Sequence, residues 1–152
     1  MKSLDFDDLP YESRLPGKLL KQWAGKTPDR PYITIAGRTC TFAQTDAHCR
    51  AVARGLAQRG LSEGKRLMLL LPNCVEFVFS WFASSMLGAV TIPVNITLKG
   101  PLLDYTIKDC RPDGLIVHHS LLPNLDSLSV ETRALLPWLA VVGDPQAPVS
   151  AL

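Results

Sequence analysis

No run of lysine and arginine occurs anywhere in this chain. Its 16 basic and 14 acidic residues are dispersed over 152 positions and leave a formal net charge of +2. A nucleic-acid footprint needs basic side chains gathered on one face or in one stretch, so nucleic-acid binding is not expected. Cysteine pairs are lacking too. Cys40, Cys49, Cys74 and Cys110 form no C-x-x-C unit, and His48, His118 and His119 are not at zinc spacing from them. The expectation is four reduced, mostly buried thiols in a cytoplasmic protein, with no metal or disulfide role. The opening "MKSLDFDDLPYESRLPG" is acidic and has no apolar centre, which argues against a signal peptide. Without such a signal, the sequon Asn95-Ile96-Thr97 reads as chance.

Catalytic fingerprints are also missing. No G-x-G-x-x-G follows a candidate strand, so a dinucleotide site has no glycine cradle. No G-x-S-x-G elbow supplies a hydrolase nucleophile. "GLSEGKR" (Gly60–Arg66) resembles a phosphate loop only superficially. Its glycines are too close, Arg66 stands where Ser or Thr should hold magnesium, and it follows a helix and precedes a strand, the reverse of the required order. It reads as a turn. His118-His119 could be ligands or acid–base groups, but no partner carboxylate is identifiable, so the pair is expected simply to meet solvent at a strand end. Asn73 is expected to cap the helix that follows it, and Asn95 to satisfy backbone groups at a strand end. No residue is assigned a catalytic, cofactor-binding or metal-ligating role.

What is present is an alternation of elements. Hydrophobic residues make up 47% and charged residues 20%, a globular balance. "KLLKQWA" (Lys18–Ala24) predicts a short helix stopped by Gly25 and Pro28, and Tyr32–Ile35 with Thr39–Phe42 a hairpin. From Ala43 to Gly60 a helix is expected, with Asp46, Arg50, Arg54 and Gln58 on the wet face and Cys49, Val52, Ala53 and Leu56 on the dry one. "RLMLLL" (Arg66–Leu71) has the pattern of a strand buried on both faces.

Phe77 to Leu98 contains no charge and reaches the length of about 20 residues that a membrane span needs. The run divides, however. Glu76, Ser80 and Ser84 form a polar row on a helix from Val75 to Leu87, Gly88 suits a helix stop, and Pro93 would break a continuing helix. The reading is a buried helix, a glycine stop and a buried strand, with no membrane span. A helix from Pro101 to about Asp109 follows, then a strand Gly114–His118, an ambiguous stretch with a helix around Leu128–Leu136, and a strand Trp138–Gly143. The fold class is therefore α/β, with a mainly parallel sheet preceded by a β-hairpin. Residues 1–17 read as an extended lead-in, 18–143 as an α/β subdomain, and 144–152 as a tail.

Several of these stretches resemble the N-terminal region of the AMP-forming acyl-CoA synthetases, in the adenylate-forming ligase superfamily. "TPDRPYITIAGRTCTFAQ" is similar to that family's opening hairpin and its entry to the first long helix. "AVARGLAQRGLSEGKRLMLLLPNCVEFVFSWFASSMLGAVTIPVN" resembles its run of helix, strand, Leu-Pro-Asn, helix, Gly-Ala, strand and Pro-x-Asn. The likeness extends through "LKGPLLDYTIKDCRPDGLIV" and covers about residues 18 to 118. "EFVFSWF" (Glu76–Phe82) also resembles the carnitine-type CoA ligase branch. Departures are local: Lys65 stands where Asp is usual, Thr45 for Leu, and Leu102 where Glu is common.

The resemblance implies an N-terminal, incomplete part of an AMP-binding domain. In the complete enzyme, a carboxylic acid and ATP would give acyl-adenylate, then acyl-CoA, with ATP, Mg and CoA as implied cofactors. The Ser/Thr/Gly-rich phosphate loop, the acidic ATP motif and the C-terminal lysine of that family have no matching position here. The chain is therefore expected to be inactive alone. The alternative is a non-catalytic interaction module that associates with another chain. Uncovered sheet edges and helix faces would favour self-association.

Overall fold

The computed structural model describes residues 10 and 14–143. Among the described residues, five α-helices and one 3₁₀ segment accompany a four-stranded parallel sheet and a two-stranded hairpin. Helix α1 (Pro16–Lys26) opens with proline at its first turn, where a missing N–H costs nothing. It is longer than expected at both ends: it takes Pro16 and Gly17 from the expected lead-in and runs through Gly25 to Lys26. The rest of that lead-in, apart from Pro10, Arg14 and Leu15, lies outside the described residues, as does the expected tail.

β1 (Pro31–Ile35) and β2 (Arg38–Thr41) form the expected antiparallel hairpin. α2 (Phe42–Gln58) begins with a capping box. The Gln44 N–H donates to Thr41 Oγ1 at 3.2 Å, and the Thr41 N–H donates back to Gln44 Oε1 at 3.0 Å. Its dry face buries Cys49, Ala53 and Leu56, as the spacing predicts, together with Thr45. Thr45 is tolerated there because its hydroxyl donates to Thr41 O at 2.7 Å. At the far end Gly60 and Gly64 turn the chain into the sheet, both at positive φ. "GLSEGKR" is thus a turn, as expected.

The sheet runs β4-β3-β5-β6, with β3 Arg66–Leu70, β4 Val90–Pro93, β5 Gly114–His118 and β6 Leu139–Val142. All three pairings are parallel. Alternate residues of β3 face opposite ways. Leu67, Leu69 and Leu71 pack with Ala53 and Leu56 of α2 and with Ala83 of α3 (Val75–Met86). Met68 and Leu70 pack with Leu103 and Ile107 of α4 (Pro101–Cys110) and with Leu125 and Leu128 beyond β5. The layers are therefore helix, sheet, helix, and α1 and the hairpin close over the outside of α2 and α3 through Leu20, Cys40, Cys49, Val75 and Phe79. The uncertain stretch after β5 forms a 3₁₀ segment (His119–Leu125) and a short α5 (Val130–Ala134), within the expected Leu128–Leu136.

The uncharged run is divided as its sequence predicts. α3 ends at a Schellman turn: Gly88 takes φ +68°, the Ala89 N–H donates to Ser84 O at 2.9 Å, and the Gly88 N–H to Ser85 O at 3.2 Å. Among the described residues no helix is long and apolar enough to cross a membrane.

One detail differs from expectation. β4 is not a buried strand but a sheet edge, with Val90 51% exposed. Pro93 fits there because an edge strand can forgo a ladder donor. In the polar row of α3, Glu76 meets solvent and Arg38, and the two serines face inward. Ser80 and Ser84 are buried, while Trp81 is 49% exposed. Ser84 Oγ–H donates to Ser80 O at 2.9 Å, so the helix satisfies its own hydroxyl and pays little for burying it.

Candidate functional site at the strand ends

In an open parallel sheet, ligands collect outside the carboxyl ends of the strands, where the chain leaves in opposite directions. Here that point lies between β3 and β5. From β3 the chain crosses to β4 on one side, and it later returns to β5 on the other. The Leu70–Val117 register sets the β3 exit (Leu71-Pro72-Asn73-Cys74) beside the β5 exit (His118-His119). β6 ends next to them at Gly143, because His118 pairs with Val142.

The histidine pair does more than meet solvent, contrary to expectation. The Ser120 N–H donates to His118 Nδ1 at 3.3 Å, and Ser120 Oγ lies 2.7 Å from the same nitrogen. Nδ1 is therefore an acceptor, which places the proton of the neutral ring on Nε2. The two rings lie 4.4 Å apart, centroid to centroid. Both close over Gly143. A Cβ there would stand 2.5 Å from His118 Nε2 and 2.7 Å from His119 Nδ1. Gly143 also takes φ +90°, so only glycine fits both its conformation and its neighbours. His119 Nδ1 is buried without a hydrogen-bond partner among the described residues. Burial pushes the His118 pKa down, the neighbouring His119 pushes the same way, and the Glu76 charge opposes them.

The opposite wall is the first turn of α3. Asn73 does not cap it. Cys74 occupies the N-cap position, and no side chain caps the helix. Burial pushes the Cys74 thiol up to about 11, so it is protonated at neutral pH and is not an activated nucleophile despite its place at a helix N-terminus. Glu76 Oε1 reaches Arg38 Nη1 of the hairpin at 3.5 Å. Asn95 behaves as expected: its Oδ1 accepts from the Thr97 N–H at 3.0 Å.

Two imidazoles, a thiol, a carboxylate and uncapped helical N–H groups can line a ligand crevice. They do not form a nucleophile–base pair. Neither do they fit a nucleotide triphosphate unaided, because Glu76 places negative charge at the helix end that would otherwise receive phosphate. No group of three His, Cys, Asp or Glu side chains among the described residues could hold a metal ion. Sequence reasoning identified the histidines but missed Gly143 as the residue that lets them close, since only the parallel register of β5 and β6 brings it to them.

The architecture defines the class first: a parallel α/β domain whose β3, β5 and β6 exits lie side by side. The comparisons then define the family. Residues 20–147 match the family described as "AMP-binding enzyme", and the chain belongs to that family. It is 34% identical over 106 residues to the putative acyl-CoA synthetase YngI of Bacillus subtilis, covering 68% of this chain and 19% of that protein. It is 49% identical over 74 residues to 4-coumarate–CoA ligase 2 of Oryza sativa subsp. japonica, covering 47% of this chain and 13% of the relative. Among solved structures, the anthranilate CoA ligase AuaEII in complex with anthranoyl-AMP superposes with a TM-score of 0.80 at 28% identity, over 90% of this chain and 26% of that one. The N-terminal domain of FACL13 from Mycobacterium tuberculosis gives 0.78 at 25% identity, over 83% and 33%. This chain thus spans a small part of the length of its curated relatives, 13 to 19% of the two named here.

Proposed function

We propose that this chain is the N-terminal portion of an ATP-dependent acyl-CoA synthetase and that it is inactive by itself. The observation that carries the reading is the match of residues 20–147 to the AMP-binding enzyme family, on a fold shared with CoA ligases. The complete cytoplasmic enzyme would join a carboxylate to the α-phosphate of ATP and release pyrophosphate. CoA thiolate would then displace AMP from the acyl carbon. Such chemistry needs cationic stabilisation of the transferring phosphate. Among the described residues, the strand exits (71–76, 118–119 and 143) carry no lysine and no glycine-rich loop to supply it. This portion would furnish one wall of the crevice and the scaffold behind it. ATP–pyrophosphate exchange with a panel of acids, including 4-coumarate, anthranilate and long-chain fatty acids, tests the reading. The isolated chain should give no exchange above the blank, and clear exchange would overturn it. Sequencing past the Leu152 codon should reveal a continuing frame with a Ser/Thr/Gly-rich loop.

A second reading is a non-catalytic module that associates with another chain. The observation that favours it is the exposure of apolar side chains on both outer strands, Val90 on β4 and Leu139 and Val141 on β6, at 44 to 51%. A stop codon after Leu152, with concentration-dependent association in sedimentation, would support it. A monomer at high concentration would count against it.

A further inference from the structure

At the other end of α3, about 18 Å from its first turn for a 12-residue helix, the first three helices leave a groove of about 450 Å³. We propose that this groove is a binding site for a small organic anion with an apolar body, a free medium-chain alkyl carboxylate. The volume lies in the range of about 300–1,000 Å³ that small-molecule sites occupy.

The charge of the groove is one-sided. Lys18 and Lys21 from α1 and Arg50 and Arg54 from α2 line it, and no acidic side chain among the described residues does. Arg50 is already committed to Asp46, with Nε 2.7 Å from the carboxylate. Lys18, Lys21 and Arg54 have no ion pair among the described residues. Three cations thus face a shared opening without a counter-charge from the described residues.

The floor is apolar. Its apolar lining is Leu15, Ala53, Ala57, Met86 and Leu87, with Ala53 buried and Leu15 46% exposed. The carboxyl end of α3 also borders the groove, and its carbonyl dipoles would oppose an anion. The Schellman turn weakens that opposition, because Gly88 and Ala89 already occupy the Ser85 and Ser84 carbonyls. The closeness of α1 to α3 fixes the shape: a Cβ on Gly17 would stand 2.7 Å from Met86 Cγ. An alkyl tail buried against the floor with a carboxylate between the lysines and Arg54 satisfies both features. A cation or a neutral alcohol satisfies at most one.

The site shares no residue with the strand-end crevice, so it stands or falls apart from the ligase reading. Calorimetric titration of the 152-residue chain with decanoate, kept below its micelle concentration, provides the test, with decanol and decylammonium as comparators. Decanoate should bind saturably at one site, decanol at least tenfold more weakly, and decylammonium without saturation. The Lys18→Glu/Lys21→Glu variant should weaken decanoate at least tenfold with its circular dichroism unchanged. Should that variant fold poorly, Arg54→Glu and the groove-filling Ala57→Trp, both at exposed positions of α2, report the same loss. Absence of saturation by decanoate, equal binding of decanol, or indifference to the charge reversals overturns the proposal.

Discussion

β3 and β6 are both short apolar strands of the same parallel sheet, and their sequences look alike. Their surroundings do not. β3 has a strand on each side and a helical layer on each face, and Leu67 to Leu70 are fully buried. β6 has one neighbour, and Leu139 and Val141 remain 44% and 48% exposed. A parallel sheet is ordinarily covered on both faces. The middle of this one is complete within the described residues, and its β6 flank is not. Within the described residues the central strands are thus covered on both faces, while the β6 margin leaves apolar side chains in contact with water.

The sharpest way to test that contrast is to cut the same side chain from both strands. Leu69→Ala removes a fully buried group between α2 and α3. It should cost about 2–5 kcal/mol. Leu139→Ala removes one that already meets water, and should cost less than about 1 kcal/mol. Urea unfolding of both variants checks the pair. Equal losses would mean that β6 is covered in solution, by self-association or otherwise.

Much of this contrast is local and therefore legible in the sequence. The unbroken apolar run of β3, the stop at Gly88 and the N1 proline at Pro101 each carry a nearest-neighbour signal. The two faces of β3 follow from the strand period alone. What remains depends on which strands pair. "AVTIP" has the composition of a buried strand and becomes an edge because β3 pairs with β5 on its other side. Ser80 and Ser84 read as a polar row, but which way it faces is settled only when the helix packs; both are buried, and Ser84 donates to its own helix. The site is less legible still. His118-His119 stands out in the sequence, but its partner Gly143 comes from another strand, and the groove cations come from two helices that sequence reasoning treats separately.

A smaller effect concerns glycine on the two sides of the molecule. Gly114 starts β5, and a Cβ there would stand 2.0 Å from Trp138, whose indole crosses it. Gly114→Ala must therefore move the indole that leads into β6, at about 1–3 kcal/mol. Gly25, in α1, would place a Cβ in open space and has no positive φ. Gly25→Ala should stabilise by about 0.4–1 kcal/mol. Opposite signs in thermal unfolding would show that the β5–β6 junction is tightly packed even though the outer face of β6 is open.

The smallest expected effect is the most specific to the strand-end crevice. His118 is held below its ordinary pKa, first by burial and then by the neighbouring His119. Its proton is therefore bound more weakly in the folded chain than in the unfolded one. As pH falls through the unfolded value of about 6.5, the unfolded form takes up the proton first and gains stability from it. The contribution of neutral His118 is thus fully present above that value and is lost as the pH falls below it and through the lower folded pKa. The urea midpoint should drop modestly between pH 7.5 and pH 5, and His118→Gln should flatten part of that drop. If His118→Gln leaves the slope as it is, the imidazole over Gly143 is not a group that couples protonation to folding; a flatter slope would tie that coupling to the burial of its ring.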